Sequence, residues 1–261
     1  MSSKGKGERE LLEGKVIVVT GGAAGIGRGI CEALTANGAR VAVVQRSVEA
    51  AERAAAPHRG ARGFCADISD HAQVERMIEA VVNSFGQVDG LVNNASVTGP
   101  NALAPFPSMT PEQVHRIVDS NLKGTIWCSQ AVARHLIGRS APGAIVHISS
   151  VAAFAAQELA SVYCATKAAQ VSLAQSMALE LAPYNIRVNA VAPGDIRTET
   201  SAEIAEEVRN RGAQGKYLRV TPLGRRGLPS EIGDAVVFLL SEKASFITGT
   251  TLTVDGGLLA S

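Results

Sequence analysis

Tyr163 and Lys167 stand four residues apart in YCATK, at the start of a segment whose pattern predicts a helix over 161–182, so the two side chains share one face. A phenol free in water has a pKa near ~10 and is a poor base at neutral pH. A neighbouring ammonium favours the phenolate and is expected to lower that value. Such a tyrosine can give a proton to a carbonyl oxygen during reduction, or take one from an alcohol during oxidation. Ser150, thirteen residues before Tyr163 and at the end of a predicted strand, offers a hydroxyl that can donate to the same oxygen as negative charge develops. Each of these residues also has a purely structural reading, as an exposed helix pair or a strand-end cap. Asn121 falls inside a long helical pattern, where its poor helix propensity predicts a local kink.

A second constellation lies near the N-terminus. TGGAAGIG at 20–27 follows an apolar strand pattern and opens a helical one. The first turn of a helix presents unpaired N–H groups and a partial positive charge, a place for a pyrophosphate. Gly21 suits a tight turn, Gly25 a close approach of backbone to phosphate, and Gly27 close helix–strand packing, with Ile26 counted among the residues facing the cofactor. The spacing is GxxxGxG and differs from the GxGxxG fingerprint; the GKS or GKT of a P-loop is missing. An NAD-binding unit places Asp or Glu at the end of the second strand to bind the ribose hydroxyls. Gln45 stands there instead and Arg46 follows, a cation able to pair with a 2′-phosphate. NADP(H) is therefore favoured, with NAD(H) as the alternative. Arg28 is a weaker phosphate candidate.

Taken together, TGGAAGIG, NNAS at 93–96, Asn121, Ser150, YCATK at 163–167 and PGDIRT at 193–198 resemble the short-chain dehydrogenase/reductase family, 3-oxoacyl-[acyl-carrier-protein] reductases and related alcohol/ketone oxidoreductases included. The resemblance runs from about residue 13 to residue 257. It implies that Lys167 also binds the nicotinamide ribose and that Asn121 holds a water linking Lys167 to solvent. Asp67 and Ile68 match the family's adenine-contacting pair. Asn94 is expected to steady the central strand on the adenosine side. Pro193 and Gly194 begin the nicotinamide side, where the Ile196 backbone and Thr198 can reach the carboxamide or phosphate. The family further implies a homo-tetramer. Ser96 departs from the family's NNAG; a serine there is strained only if the position needs positive φ.

The elements that must carry these residues follow from hydrophobic pattern. Apolar runs at 15–20, 39–44, 63–67, 88–94, 143–150, 186–194 and 251–256 alternate with helical patterns. Strands without polar alternation are buried on both faces, and a helix between each pair forces parallel crossovers. This predicts an α/β fold: a single-domain Rossmann-type doubly wound parallel sheet of about seven strands with helices on both faces. Residues 1–13 read as a mobile tail and 14–261 as one dinucleotide-binding and catalytic domain. Thr110 is the expected N-cap of a helix with Pro111 in first position. Residues 195–220 read as a substrate lid of mixed charge with Gly212 and Gly215 as hinges, facing small apolar walls and Gln157 at 152–159.

Composition closes off other classes. The 261 residues carry 25 Lys and Arg against 24 Asp and Glu, a net charge of +1 that lacks the basic excess of a nucleic-acid binder. Aromatics make up 4%, too few for stacking on bases. The uncharged stretch 140–157 holds Pro142, His147 and several serines and does not qualify as a membrane span. The N-terminal fifteen residues are charged where a signal peptide is apolar, and Cys31, Cys65, Cys128 and Cys164 show no paired spacing, which predicts reduced thiols in the cytoplasm. The five histidines have no metal-ligand spacing, so no metal is expected; His147 reads as a satisfied core residue. The expected partner is a small ketone or secondary alcohol of mixed polarity, with a non-catalytic cofactor-binding regulator as the contrasting reading.

Overall fold

Val and Ile dominate the strand segments, and consecutive side chains of a strand point to opposite faces. In β1 (Val16–Thr20) this sends Val16 and Val18 into one core and Ile17 and Val19 into another. A sheet with two apolar faces needs helices on both sides, and this is what the computed structural model contains. It describes residues 10–199, 201 and 221–260. In chain order these form β1, α1 (Gly25–Ala36), β2 (Arg40–Gln45), α2 (Val48–Ala55), β3 (Arg62–Cys65), α3 (His71–Phe85), β4 (Gly90–Asn93), α4 (Pro111–Val118), α5 (Gly124–Gly138), β5 (Gly143–Ile148), α6 (Ser161–Leu181), β6 (Ile186–Pro193), α7 (Pro229–Leu240) and β7 (Thr251–Val254).

The seven strands pair in parallel in the order β3-β2-β1-β4-β5-β6-β7. Residues of α3, α5 and α6 pack into the core on one face; α1 and α7 pack on the other. The order reverses between β1 and β4, which opens a crevice beyond the carboxyl ends of these two strands, where ligands of such sheets bind. The glycine turn follows β1, and the NNAS loop follows β4. Ser150 and Pro193–Gly194 leave the same edge from β5 and β6. The predicted seven-stranded doubly wound sheet is thus the observed one.

Local chemistry accounts for the helix starts. Ser47 and Asp70 cap α2 and α3 through their side-chain oxygens. Thr110 closes a capping box with Gln113, with Pro111 in first position as expected. Two expectations need correction. Residues 10–13 were placed in the tail, yet Leu12 is only 2% exposed and packs in the α1/α7 core, with its N–H donating to Asn37 O at 2.9 Å. The long helical pattern that opens at Thr110 and holds Asn121 is broken by a π turn over Asp119–Lys123, so the kink anticipated at Asn121 takes the form of one over-wide turn. Most of the 195–220 lid falls outside the described residues.

Candidate active site

The glycine turn is shaped by close contacts that leave no room for side chains. Gly21 has φ +69°, and a Cβ there would lie 2.8 Å from Ala95 Cα. A Cβ on Gly27 would lie 2.1 Å from Gly21 O and 2.5 Å from Asn94 Nδ2. Asn94 Nδ2 donates to Thr20 O (3.0 Å) and Gly21 O (2.9 Å), so its work is to tie β4 to the turn. At the N-terminus of α1 Ala24 provides no capping oxygen, and the first turn holds no acidic residue. The Glu199 carboxylate takes up this role from outside the helix. It accepts from the Gly25 N–H and pairs with Arg28 at 3.0 Å; its own N–H first, then Arg28, hold it below the usual carboxylate range. An anion site is therefore present, and a carboxylate already tests it. These residues fit the pyrophosphate of a dinucleotide. Arg28 belongs to this anion site, although its exposed side chain is engaged by Glu199.

At the end of β2 the two neighbours separate. Gln45, with its amide oxygen toward the turn, accepts from Gly22 N at 2.9 Å and Ala23 N at 2.8 Å. It braces the turn. Arg46 is exposed, and no hydrogen bond or ion pair holds it among the described residues. Asp67 Oδ1 accepts from Ser69 N and Oγ at 2.9 and 2.7 Å, which fixes the carboxylate, while Ile68 is buried against Gly124 of α5. Ile26 is half-buried against the α1/α7 core. Pro193 ends β6; Gly194 N donates to Val254 O, and Ile196 is buried in a bridge to Gly227. Thr198 lies over Gly25, with its methyl 3.2 Å from where a Cβ would stand. Its hydroxyl oxygen accepts from Ser201 N. Ser96 does not adopt a positive φ, so the serine brings no backbone strain.

Tyr163 and Lys167 share the inner face of α6, and the ammonium nitrogen is 5.5 Å from the centre of the Tyr163 ring. Ser150 caps the short turn after β5; its oxygen accepts from Ala152 N at 3.1 Å, which leaves the O–H to donate. The hydroxyls of Ser150 and Thr98 lie beside the Tyr163 phenol, close enough for both to pull its pKa down. Asn121 positions Thr98 indirectly. Its Oδ1 accepts from Val97 N at 2.6 Å and its Nδ2 donates to Val97 O and Thr166 Oγ1. All four expected catalytic residues are thus brought together, and Thr98 joins them. Thr98 was missed because only the loop after NNAS leads to it, with no motif of its own. Just before α6, Leu159 takes φ 61°, a left-handed backbone that residues other than glycine disfavour, and its carbonyl accepts from Ala104 N.

The electrostatics reverse one expectation. Burial pushes the Tyr163 pKa up, with the Ser150 and Thr98 hydroxyls pulling against it. The Lys167 amine is 2% exposed and burial brings its pKa down to about 7. Its Nζ donates to Ile148 O at 2.9 Å and Gln170 Oε1 at 3.1 Å. An amine that holds its proton less tightly than in water gives the phenol less help than spacing alone suggests. His147 is a core residue as read, but satisfied on one side only: its Nδ1 meets Asn93 Nδ2 at 3.1 Å while Nε2 has no partner among the described residues. Burial, then Lys167, bring its pKa down to about 3 and keep it neutral. No helix among the described residues is long and apolar enough to cross a membrane.

Comparison with known proteins agrees with this geometry. Residues 21–259 match the family model described as enoyl-(acyl carrier protein) reductase. Human L-xylulose reductase is 40% identical over 250 residues, covering 96% of this chain and 98% of its own. The crystal structure of a short-chain type dehydrogenase/reductase from Mycobacterium marinum superposes with a TM-score of 0.87 at 32% identity, covering 97% of this chain and 98% of that one. Gluconate 5-dehydrogenase from Burkholderia cenocepacia, solved with NADP and tartrate, has a TM-score of 0.85 at 33% identity, with 97% and 98% covered. With these matches running nearly end to end over a crevice of this build, the chain belongs to the short-chain dehydrogenase/reductase family, as an NAD(P)-dependent oxidoreductase acting on CH–OH groups.

Proposed function

We propose that the protein moves a hydride between NADP(H) and a small polyhydroxylated ketone or secondary alcohol, with Tyr163 as general acid and base. The observation that carries this reading is the Tyr163 hydroxyl set between the hydroxyls of Ser150 and Thr98, with the Lys167 ammonium beside its ring. In reduction the phenol gives its proton to the substrate oxygen, and Ser150 donates a hydrogen bond to that oxygen as charge gathers on it. In oxidation the phenolate takes the proton back. A bound nicotinamide supplies or accepts the hydride. The glycine turn, Asp67, Ile68 and the Pro193–Thr198 segment hold the dinucleotide, and Lys167 directs its remaining N–H to the ribose. The pyrophosphate takes the donors that Glu199 now occupies, so Glu199 swings away on binding. The names of L-xylulose reductase and of gluconate 5-dehydrogenase, the latter holding tartrate, support a substrate with several hydroxyls.

The preference for NADP(H) rests on Arg46. It is the unengaged cation at the end of β2, where no carboxylate stands to repel a 2′-phosphate. A charge-assisted hydrogen bond contributes about 1.5–3 kcal/mol. Arg46→Ala is therefore expected to weaken NADPH binding by roughly tenfold or more while leaving NADH within about twofold, read by fluorescence titration of the purified protein. Equal effects on the two cofactors would return NAD(H) to first place.

A further inference from the structure

Gln170 sits one turn beyond Lys167 in α6, fully buried in a stretch otherwise rich in Ala, Leu and Val. Its amide is satisfied on both sides. The Nε2 donates to Asn121 O at 2.9 Å and to Thr125 Oγ1 at 2.8 Å, and the Oε1 accepts from Lys167 Nζ at 3.1 Å. Thr125 Oγ1 donates in turn to Asn121 O at 2.7 Å. The two acceptors below the NH2 group settle which way the amide faces, so its oxygen must meet the amine. The π turn makes this reach workable, because it carries Asn121, whose carbonyl is one end of the bridge. With Gln170 and Thr125 both donating to that carbonyl, and Val97 and Thr166 engaged by its side chain, Asn121 has protein partners at each of these polar atoms.

Resting on the reading of Tyr163 and Lys167 given above, we propose that Gln170 is a positioning residue that braces the Lys167 ammonium against the π turn and so holds it beside Tyr163. Burial works against the charge on Lys167, and two oxygen acceptors, Ile148 O and Gln170 Oε1, work for it. The other titratable groups facing this pair are few. His147 of β5 is neutral and Cys164 of α6 lies beside Tyr163. Asp119 and Lys123 of the π turn pair with each other, and among the described residues no carboxylate is within ion-pair distance of Lys167.

The test reads the Tyr163 phenolate directly, as the near-ultraviolet difference between each protein and its Tyr163→Phe counterpart, titrated with saturating NADP+. Lys167→Met is the reference and is expected to move the midpoint to higher pH. Gln170→Met, close in volume, is expected to move it the same way by about one pH unit, the effect of one hydrogen bond to a charged group. If Lys167→Met shifts the midpoint and Gln170→Met does not, Gln170 is packing only and the proposal is overturned while the catalytic reading stands. If Lys167→Met itself shifts nothing, the catalytic reading fails and takes the proposal with it. Should Gln170→Met not fold, Thr125→Val decides: it removes one anchor of the amide, and a smaller shift in the same direction supports the brace, whereas an unmoved midpoint overturns it.

Discussion

Tyr163→Phe is expected to lower kcat for carbonyl reduction by 10²- to 10⁴-fold, the contribution of a positioned proton donor, with cofactor affinity held within about threefold. The substitution deletes one oxygen and leaves the ring that packs beside Lys167. Ser150 cannot take over as acid, because it is itself a weak proton donor whose place is to hydrogen-bond the substrate oxygen. The measurement follows NADPH absorbance over a panel of keto sugars and small ketones, with binding of NADPH measured in parallel. A variant that reduces any of them within threefold of the wild-type rate would remove Tyr163 from the chemistry. Loss of cofactor binding together with activity would instead point to a structural role.

Gly27→Ala is expected to abolish cofactor binding, for a reason that is wholly steric. The added methyl would stand 2.1 Å from the carbonyl oxygen of Gly21 and 2.5 Å from the Asn94 amide. Neither neighbour is a flexible chain end: the first is backbone, and the second is held by two hydrogen bonds. Overpacking of this kind costs about 1–3 kcal/mol. Relief requires the turn to open, and the N–H donors then lose their alignment on the phosphate. The readout is the rise in Tm on adding NADP+, which follows from binding to the native state alone. We expect a clear rise for wild type and none for Gly27→Ala at the same ligand concentration. A preserved rise would show that the turn can move without losing its ligand.

Much of this could be read before any coordinates, because it depends on short-range chemistry. The Thr110–Pro111 start of α4 and the kink at Asn121 both come from propensities that neighbours do not override. The candidate set of Ser150, Tyr163 and Lys167 was legible because its spacing is tied to one helix and one strand end. What stayed hidden depends on burial and on side chains that meet across the fold. The spacing of Tyr163 and Lys167 shows that they are neighbours but not that burial lifts one pKa and lowers the other. Gln45 counts among the cofactor-binding residues until the fold turns its amide into the glycine loop. Gln170 carried a faint signal, a polar residue on the inner side of an apolar helix, which only Asn121 and Thr125 from another element make intelligible. Leu12 stayed hidden in the same way: the Leu11–Leu12 pair is a short apolar step at the edge of a charged segment, and only the α1/α7 core shows where it packs.

The over-wide turn at 119–123 also limits how this stretch of chain can change in length. An α-helix advances about 100° per residue, and a π turn absorbs one residue more than its neighbours. Removing a single residue there would let α4 and α5 fuse into one regular helix with the buried faces of Ile117 and Thr125 still in phase, because the path between them comes to about two turns with the wide turn or without it. What the deletion would take away is the wide turn itself, where the Asn121 carbonyl receives Gln170 and Thr125. An insertion or deletion elsewhere in α4 or α5 has no such turn to absorb it and re-indexes a whole helix at once.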